Sequence, residues 1–427
     1  MKKAMITGIG MLTAVGNGKD ATWKAVKAGT PGVGRITKFD PSRCTSQVAA
    51  ELKGFDEYAI GGGLLDRKEA RHMADFSKYA VAAAVEAWKD AGFARKGEEG
   101  GFAPDPDRVA TLLGNGIGGL EVTGESFKTL FERGPDRLSP LAIPELIANE
   151  GAGNIAIALG AKGPAHVVTT ACSSSADALG HALDMLRAGR ADVVVAGGSE
   201  AVIMEFCVGG FMKERALATK FNDTPEKACR PFNIDRDGFV MGEGAAMLIL
   251  ETEEHAKARG ARVYAELTGY GATCDAYHIT APDPSADGAV KAMKLALADA
   301  GVEDLSTVDY INAHGTSTKL NDSMETLAIK RVFGEEQARK INISSTKPFH
   351  GHCLGATGAI EAAITALAID EGFVPATINY ENPDPELDLN YTPNTGVKRD
   401  IRVAMSSSLG FGGHNGILVF KKHETEA

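Results

Sequence analysis

Residues 163–183 read GPAHVVTTACSSSADALGHAL, and this stretch decides how the rest of the chain is interpreted. The β-branched run Val167 to Thr170 is typical of a strand. Small residues from Ala171 to Ala176 let the backbone turn sharply, and the leucines that follow at helical spacing favour a helix. The stretch therefore predicts a strand, a turn and a helix, with Cys172 where the helix begins.

This position makes Cys172 a candidate nucleophile. Unpaired backbone N–H groups and the positive end of a helix stabilise a thiolate and lower the pKa of a cysteine. The same N–H groups can hold an oxyanion. A buried structural cysteine is the alternative. Ser173 to Ser175 favour the nucleophile, because they are too small to cover the sulfur and too polar for core packing.

The composition is that of a soluble globular protein, with 44% hydrophobic and 24% charged residues among 427. Apolar runs such as Ala245 to Leu250 fall far short of the roughly 18 residues that a membrane span needs, and residues 1–3 lead into a strand, so we expect a cytoplasmic protein without a membrane segment. The net charge of −11 argues against a general nucleic-acid binder, yet it allows a local basic patch for an acidic partner. The six cysteines show no paired close spacing, which suits a reducing compartment and predicts no disulfide.

The first half of the chain shows an α/β rhythm. Gly8 to Thr13 superficially resembles a dinucleotide loop, but the third glycine is missing, so we interpret it as a glycine turn after an edge strand. The pattern then predicts one helix over Asp66 to Gly92, another over Pro140 to Leu159, and a fully buried strand at Ala191 to Gly198.

The second half repeats this architecture, which indicates an internal duplication. The alternation of predicted strands and helices begins again after Thr252, and we predict an N-terminal half over residues 1–252 and a C-terminal half over residues 253–427. The glycine-started helix from Leu354 to Ile364 mirrors the Cys172 turn, and Val403 to Phe420 mirrors Phe239 to Leu250. Two such halves facing each other would bring both helix starts to a shared cleft.

Two histidines of the second half stand at the ends of predicted strands. His314 follows the strand Val308 to Ile311, and His352 follows the strand Ile341 to Thr346. Flanked by small residues and opposite a cysteine turn, they are candidates for the same site. A metal site at His350 and His352 is the rival hypothesis, although no third ligand lies nearby in the sequence.

Four motifs, in this order along the chain, resemble those of the β-ketoacyl-acyl carrier protein synthases, most closely the elongating type II enzymes: Thr170 to Ser174, His314 to Thr318, Lys347 with Gly351-His352, and Gly410 to Gly413. The resemblance implies a thiolase-like α/β fold with duplicated halves in a five-layered αβαβα arrangement, and a homodimer. It also implies an acyltransferase that extends an acyl chain by decarboxylative Claisen condensation with malonyl-acyl carrier protein, in fatty-acid elongation.

The resemblance also implies roles for individual residues. Cys172 would take the acyl chain, while His314 and His352 would bind the malonyl thioester carbonyl and assist decarboxylation. The N–H groups of Cys172 and Phe411 would form the oxyanion hole, and Lys347 with Glu361 would support the electrostatics of the histidine pair. A soft thiol nucleophile and hydrogen-bond donors for an enolate suit this chemistry. No metal and no cofactor of its own is expected, because the phosphopantetheine arrives on the carrier protein.

Two further sets of residues follow from the resemblance. We expect the acyl chain to be bound by Ile117, Leu141, Ala142, Phe211 and Leu409, with Glu361 completing the substrate-binding residues. Leu141, Ala142 and Leu409 stand where elongating members commonly carry aromatic rings, which predicts room for a longer acyl chain. The acidic carrier protein is expected to dock on Arg67, Lys68, Arg71, Lys213 and Arg215.

Three alternatives compete with this interpretation. Ser173 to Ser175 resemble the corresponding turn of polyketide synthases, which suggests a ketosynthase of a type II polyketide or polyene pathway. A non-catalytic chain-length partner uses the same fold, but such proteins typically lack the nucleophile that Cys172 supplies. A thiol protease would explain neither the paired histidines nor the duplicated halves.

Overall fold

The computed structural model describes residues 2–95 and 100–424. The strands are β1 (Ala4–Thr13), β2 (Gly16–Asn17), β3 (Gly34–Arg35), β4 (Val48–Ala49), β5 (Val109–Gly114), β6 (Ala165–Val168), β7 (Val193–Glu200), β8 (Gly244–Thr252), β9 (Ala265–Cys274), β10 (Val308–Asn312), β11 (Asn342–Ser344), β12 (Phe373–Val374), β13 (Val397–Lys398), β14 (Val403–Gly410) and β15 (His414–Lys421). The helices are α1 (Lys19–Lys27), α2 (Phe55–Ala59), α3 (Arg67–Ala70), α4 (Asp75–Asp90), α5 (Leu120–Arg133), α6 (Ala142–Leu146), α7 (Asn149–Leu159), α8 (Ser174–Arg187), α9 (Glu205–Lys213), α10 (Glu253–Ala258), α11 (Asp287–Asp299), α12 (Lys319–Phe333), α13 (Glu335–Ala338), α14 (Lys347–His350) and α15 (Thr357–Glu371).

The strand order repeats between the two halves of the chain. The first half has the order β6-β5-β7-β8-β1 and the second has β11-β10-β14-β15-β9, so each follows the pattern third, second, fourth, fifth, first. The two arrays join where β1 pairs antiparallel with β9 over residues 4–6 and 265–267. The predicted duplication is therefore visible in the topology, while a boundary directly after Thr252 stays a prediction.

Helices and strands form five layers. Helix α4 packs on β1, β7 and β8 at one side, and α11 packs on β9 and β15 at the other. Between the two strand arrays lie α8 and α15, which contact each other and strands of both halves. Helix α15 is buried from Thr357 to Ile369, as expected of a mostly apolar helix that lies in the core of a large fold. The predicted α/β thiolase-like arrangement is confirmed.

The prediction of an edge strand before a glycine turn was wrong. Strand β1 runs straight through the glycines and lies between β8 and β9 in the interior. Its glycines serve packing: a Cβ on Gly8 would lie 2.2 Å from the carbonyl oxygen of Ala87, and one on Gly10 would lie 2.0 Å from that of Ala83. Helix α4 can therefore approach the strand closely.

Two predicted helices are each broken in two. The helix expected over Asp66 to Gly92 is interrupted between α3 and α4, and the one expected over Pro140 to Leu159 is interrupted between α6 and α7, where Ile147 is extended. The start of α4 is fixed by a residue far along the chain, because the N–H of Asp75 donates to Glu121. Among the described residues, no helix combines the length and the apolar character that a membrane crossing requires.

Candidate active site

The site residues follow the carboxyl ends of four strands, which lie at one end of each strand array. Within the halves, β5, β6 and β7 run parallel, as do β10, β11 and β14. The chain reaches Cys172 after β6, His314 after β10, His352 after β11 and Phe411 after β14. Because ligand sites of such sheets lie beyond the carboxyl ends of the strands, the topology gathers these residues into one cleft between the halves.

Cys172 lies in a tight turn that we name the first elbow, residues 171–173, directly before α8. Ala171 has a φ of 52°, a strained value for a residue with a side chain. Glycines make room for the turn, since a Cβ on Gly114 would lie 2.3 Å from the backbone of Ser175, and one on Gly410 would lie 3.2 Å from the nitrogen of Cys172. The predicted strand, turn and helix are confirmed.

The low pKa expected for Cys172 was wrong. Burial raises the pKa of its thiol to about 11, although the backbone N–H groups of Phe411 and Cys172 and the charge of Lys347 act to lower it. The helix end is thus outweighed by removal of the thiol from water. Burial raises the pKa of Cys207 further, to about 12, and that of Cys353 well above the ordinary value. Cys172 still receives hydrogen bonds from backbone N–H groups that lower its pKa and that these two cysteines lack, although the charge of Lys347 also acts to lower the pKa of Cys353.

The imidazole rings of His314 and His352 meet edge to face in the wall of the cleft. Their ring centroids lie 5.3 Å apart with an interplanar angle of 86°. The loop at His314 is held by Glu325, whose carboxylate accepts the N–H of His314 and that of Gly315, each at 2.8 Å. The ring of His352 has its Nδ1 2.9 Å from the hydroxyl oxygen of Thr357. The predicted histidine pair is therefore present as a pair.

Both histidines are held in the neutral form. Burial lowers the pKa of His314 and of His352 well below the ordinary value, and the charge of Lys347 adds to the effect. Lys347 is itself fully buried, donates to the carbonyl oxygen of His314, and lies 2.6 Å from Glu361. Neutral imidazoles can donate a hydrogen bond to a developing oxyanion without carrying a charge into the site.

A cavity of about 610 Å³ joins these groups. Its lining includes Cys172, His314, His352 and Phe411, and the predicted substrate residues Ile117, Phe211 and Leu409. The other three predicted substrate residues, Leu141, Ala142 and Glu361, do not line this cavity. Glu361 is instead the buried partner of Lys347, and its assignment to substrate binding stays a prediction. Leu141 and Ala142 lie at the start of α6, and a place for them at the far end of the acyl site stays a prediction.

The five basic residues expected to dock a carrier protein are all exposed. Arg67, Lys68 and Arg71 cluster on α3 and its C-terminal end, whereas Lys213 ends α9 and Arg215 lines the cavity mouth. In the described part of the chain no three His, Cys, Asp or Glu side chains group as metal ligands. His350 turns its Nε2 to the hydroxyl of Thr346 at 3.0 Å, so the rival metal hypothesis finds no ligand set.

Glu200 is a site residue that the sequence reasoning missed. It is fully buried at the end of β7, and its carboxylate accepts the N–H groups of Gly116 at 2.9 Å, Ile117 at 3.3 Å and Gly355 at 3.0 Å. Burial raises its pKa to about 7. A glutamate at the end of a wholly buried strand is a detectable signal, because an unpaired charge is costly there. Glu200 joins the cavity wall of the first half to the second half.

The chain matches two family descriptions, "Beta-ketoacyl synthase, N-terminal domain" over residues 1–256 and "Beta-ketoacyl synthase, C-terminal domain" over residues 264–381. It is 46% identical over 423 residues to proteins named 3-oxoacyl-[acyl-carrier-protein] synthase 2 from Staphylococcus aureus and from Synechocystis sp., covering 99% of this chain and of each relative.

Solved structures give the same result. A β-ketoacyl synthase from Burkholderia phymatum superposes with a TM-score of 0.89 at 35% identity, and a ketosynthase in complex with its type II polyketide acyl-carrier protein gives 0.90 at 32% identity. Both comparisons cover 99% of this chain and all of the other. With the cysteine, the histidine pair and the duplicated halves, these matches show that the chain belongs to the β-ketoacyl synthase family.

Proposed function

We propose that the protein is a 3-oxoacyl-acyl carrier protein synthase, an acyltransferase that lengthens acyl chains on a carrier protein during fatty-acid synthesis. The observation that carries the proposal is the convergence of Cys172, His314, His352 and Phe411, from both halves, on one cavity. The 46% identity to two synthases of that name supports this substrate class.

The first half-reaction is transfer of the acyl group to Cys172. The sulfur attacks the thioester carbonyl of acyl-carrier protein, and the N–H groups of Cys172 and Phe411 stabilise the oxyanion of the tetrahedral intermediate. On collapse the carbon–sulfur bond to pantetheine breaks, and the pantetheine thiol departs with the proton that Cys172 gave up. Because burial holds the pKa of Cys172 near 11, proton loss accompanies attack.

The second half-reaction forms the carbon–carbon bond. His314 and His352 donate hydrogen bonds to the carbonyl oxygen of malonyl-carrier protein, so that the electron pair left by departing carbon dioxide is held as an enolate. The enolate carbon attacks the acyl-Cys172 carbonyl, and expulsion of the Cys172 thiolate gives 3-oxoacyl-carrier protein. Two neutral donors suit this step, since a neighbouring negative charge would oppose the enolate.

We propose an acidic acyl carrier protein as the partner. Its support is five exposed basic residues on a chain with net charge −11, namely Arg67, Lys68, Arg71, Lys213 and Arg215, of which Arg215 lines the cavity. The variant Lys68→Glu/Arg71→Glu should raise KM for carrier-bound substrates several-fold and leave small thioester substrates unaffected. The matched control is Lys291→Glu/Lys294→Glu, two exposed lysines on α11. Equal loss with both substrate types would contradict the docking role.

We propose a homodimer formed through the outer edge of β6 and the neighbouring helices. Strand β6 ends its sheet with Ala165 and His166 exposed, and α5 has no buried residue, with Phe131 80% exposed. Exposed apolar patches of this kind mark interfaces. Sedimentation should give about twice 44.7 kDa, and Phe131→Asp should shift the protein toward monomer. A monomeric wild-type protein would contradict the proposal.

We also propose a cytoplasmic location, which the six free cysteines favour. The phosphopantetheine of the carrier protein remains the expected source of thioester chemistry.

The experiment that tests the main proposal supplies acyl-carrier proteins of graded chain length together with malonyl-carrier protein. Mass spectrometry should find 3-oxoacyl products two carbons longer than each accepted primer. Repeated unreduced extensions on one carrier would favour the polyketide alternative, and consumption of neither substrate would contradict both.

A further inference from the structure

Thr357 opens α15 and contacts a catalytic histidine without lining the cavity. Its side chain is fully buried, and its hydroxyl oxygen lies 2.9 Å from Nδ1 of His352. No second hydrogen-bond partner of this hydroxyl occurs in residues 2–95 and 100–424. In the described structure, the Thr357 hydroxyl therefore makes a hydrogen bond with His352 alone.

The backbone of His352 is fixed independently of this contact. Its N–H donates to the carbonyl oxygen of Val240 at 2.7 Å, and its own carbonyl accepts the N–H of Gly242 at 2.9 Å. What remains to be set is the rotation of the imidazole and the nitrogen that carries its proton. Burial lowers the pKa of His352 well below the ordinary value, so the ring is neutral and carries one proton.

Which atom donates in the hydrogen bond between Thr357 and His352 can be decided by counting the donors and acceptors of the two side chains. If Nδ1 carried the ring proton, the hydroxyl would have to accept it, and the hydroxyl proton would be left without an acceptor. A buried unsatisfied donor costs about 1–3 kcal/mol. If Thr357 donates to Nδ1, both groups are satisfied and the ring proton lies on Nε2.

The other histidine has no such partner. Nδ1 of His314 is buried and without a hydrogen-bond partner among the described residues. Its backbone is held by Glu325, but nothing in the described structure sets its tautomer. The two rings of the pair are therefore not equivalent.

We propose that Thr357 is a positioning residue that fixes His352 as the Nε2–H tautomer and so makes it a committed hydrogen-bond donor to the malonyl thioester oxygen. This role rests on the proposed function, because decarboxylation is the step that needs the donor. Thr357 itself lies outside the lining of the cavity. Transfer of the acyl group to Cys172 depends on backbone N–H groups and should need Thr357 less.

The test compares Thr357→Val with Thr357→Ser and with the control Thr365→Val. Valine removes the hydroxyl at nearly constant shape, serine retains it, and Thr365 is an equally buried threonine of α15 that bonds the carbonyl of Glu361. Loss of one such hydrogen bond should lower kcat for malonyl decarboxylation about tenfold. KM and acylation of Cys172 should change less, while serine and the control should stay near wild type.

Nitrogen-15 spectra of histidine-labelled protein supply a readout that a merely structural role would not move. The His352 signals, identified by their loss in His352→Gln, should show the Nε2–H pattern in the wild type and a mixture of tautomers in Thr357→Val. An Nδ1–H wild type, or a folded valine variant with unchanged kcat, would overturn the inference. A wild type that never decarboxylates malonyl thioesters would contradict the proposed function instead, and its spectrum would still test the tautomer.

Discussion

The first elbow has a counterpart in the second half of the chain, which we name the second elbow, residues 354–356. Each is one turn of 3-10 helix that leads into a buried helix, α8 or α15, and each begins with a non-glycine residue in the left-handed region, Ala171 at a φ of 52° and Leu354 at 44°. The strained backbone is thus common to both halves, although only the first elbow contains a cysteine.

Two matched positions carry side chains with different roles. Gly355 stands where the first elbow has Cys172, and a Cβ there would lie 2.5 Å from the nitrogen of Gly116, so the second elbow has no room for a nucleophile. Ser174 bonds the backbone of its own elbow, whereas Thr357 turns to His352. The two halves share the backbone of the turn, and in the proposed mechanism they divide the chemistry, with covalent catalysis in one half and hydrogen-bond donation by the histidines in the other.

Removing the sulfur of the first elbow should have the largest effect. Cys172→Ala should lower acyl transfer by at least about 1,000-fold, because no other group can form the thioester. Cys172→Gln should abolish condensation yet retain malonyl decarboxylation, since its amide resembles the acylated cysteine. Carbon dioxide release and product mass are measured in parallel. Acyl transfer that survives in the alanine variant would show that the first elbow is not the nucleophile site.

Breaking the ion pair behind the second elbow should come next. Lys347→Met leaves Glu361 as an unpaired buried carboxylate and should cost about 3–5 kcal/mol of unfolding free energy, measured in denaturant. The double variant Lys347→Met/Glu361→Leu should recover most of that stability, because no buried charge is left. Its condensation rate should stay low, since the charge that helps keep both histidines neutral is gone. Full activity in the double variant would contradict an electrostatic role for Lys347.

Filling the second elbow tests its packing role. Gly355→Ala should destabilise the protein by about 1–3 kcal/mol, because the added methyl meets backbone atoms that cannot move easily. The control Gly210→Ala lies in α9, where an added Cβ has no neighbour within 4 Å, and should be neutral or slightly stabilising. Equal thermal stability of the two variants would mean that the second elbow is loosely packed.

The smallest effect concerns the titration of Cys172. Because burial raises the pKa of its thiol to about 11, alkylation by iodoacetamide should keep increasing between pH 7 and pH 10. A cysteine with a lowered pKa would instead reach a plateau near neutral pH. The measurement needs a Cys274→Ser background, since Cys274 is exposed and would react as well. A plateau below pH 8 would instead support the lowered pKa of Cys172 that the sequence pattern predicts.

Sequence patterns predicted those features that depend on interactions between residues close together in the chain. The strand, turn and helix at Cys172, the repeated halves and the histidine pair all follow from small residues and β-branched runs. Contacts between distant residues decided the rest. Strand β1 lies inside the sheet because β8 and β9 pair with it, α4 begins where Glu121 accepts the N–H of Asp75, and the pKa of Cys172 rises because the whole fold excludes water. Thr357 could have been found only by aligning the two elbows with each other.

Glu200 has a consequence for anyone who redesigns this protein. One carboxylate holds the backbone of Gly116 and Ile117 in the cavity wall and the backbone of Gly355 in the second elbow. Exchanging the Ile117 side chain leaves these hydrogen bonds intact, whereas inserting or deleting residues around Gly116 breaks them and disturbs the opposite half at the same time. Chain-length engineering here should therefore change side chains one at a time and keep the loop length, because effects at Gly116 and Gly355 will not add.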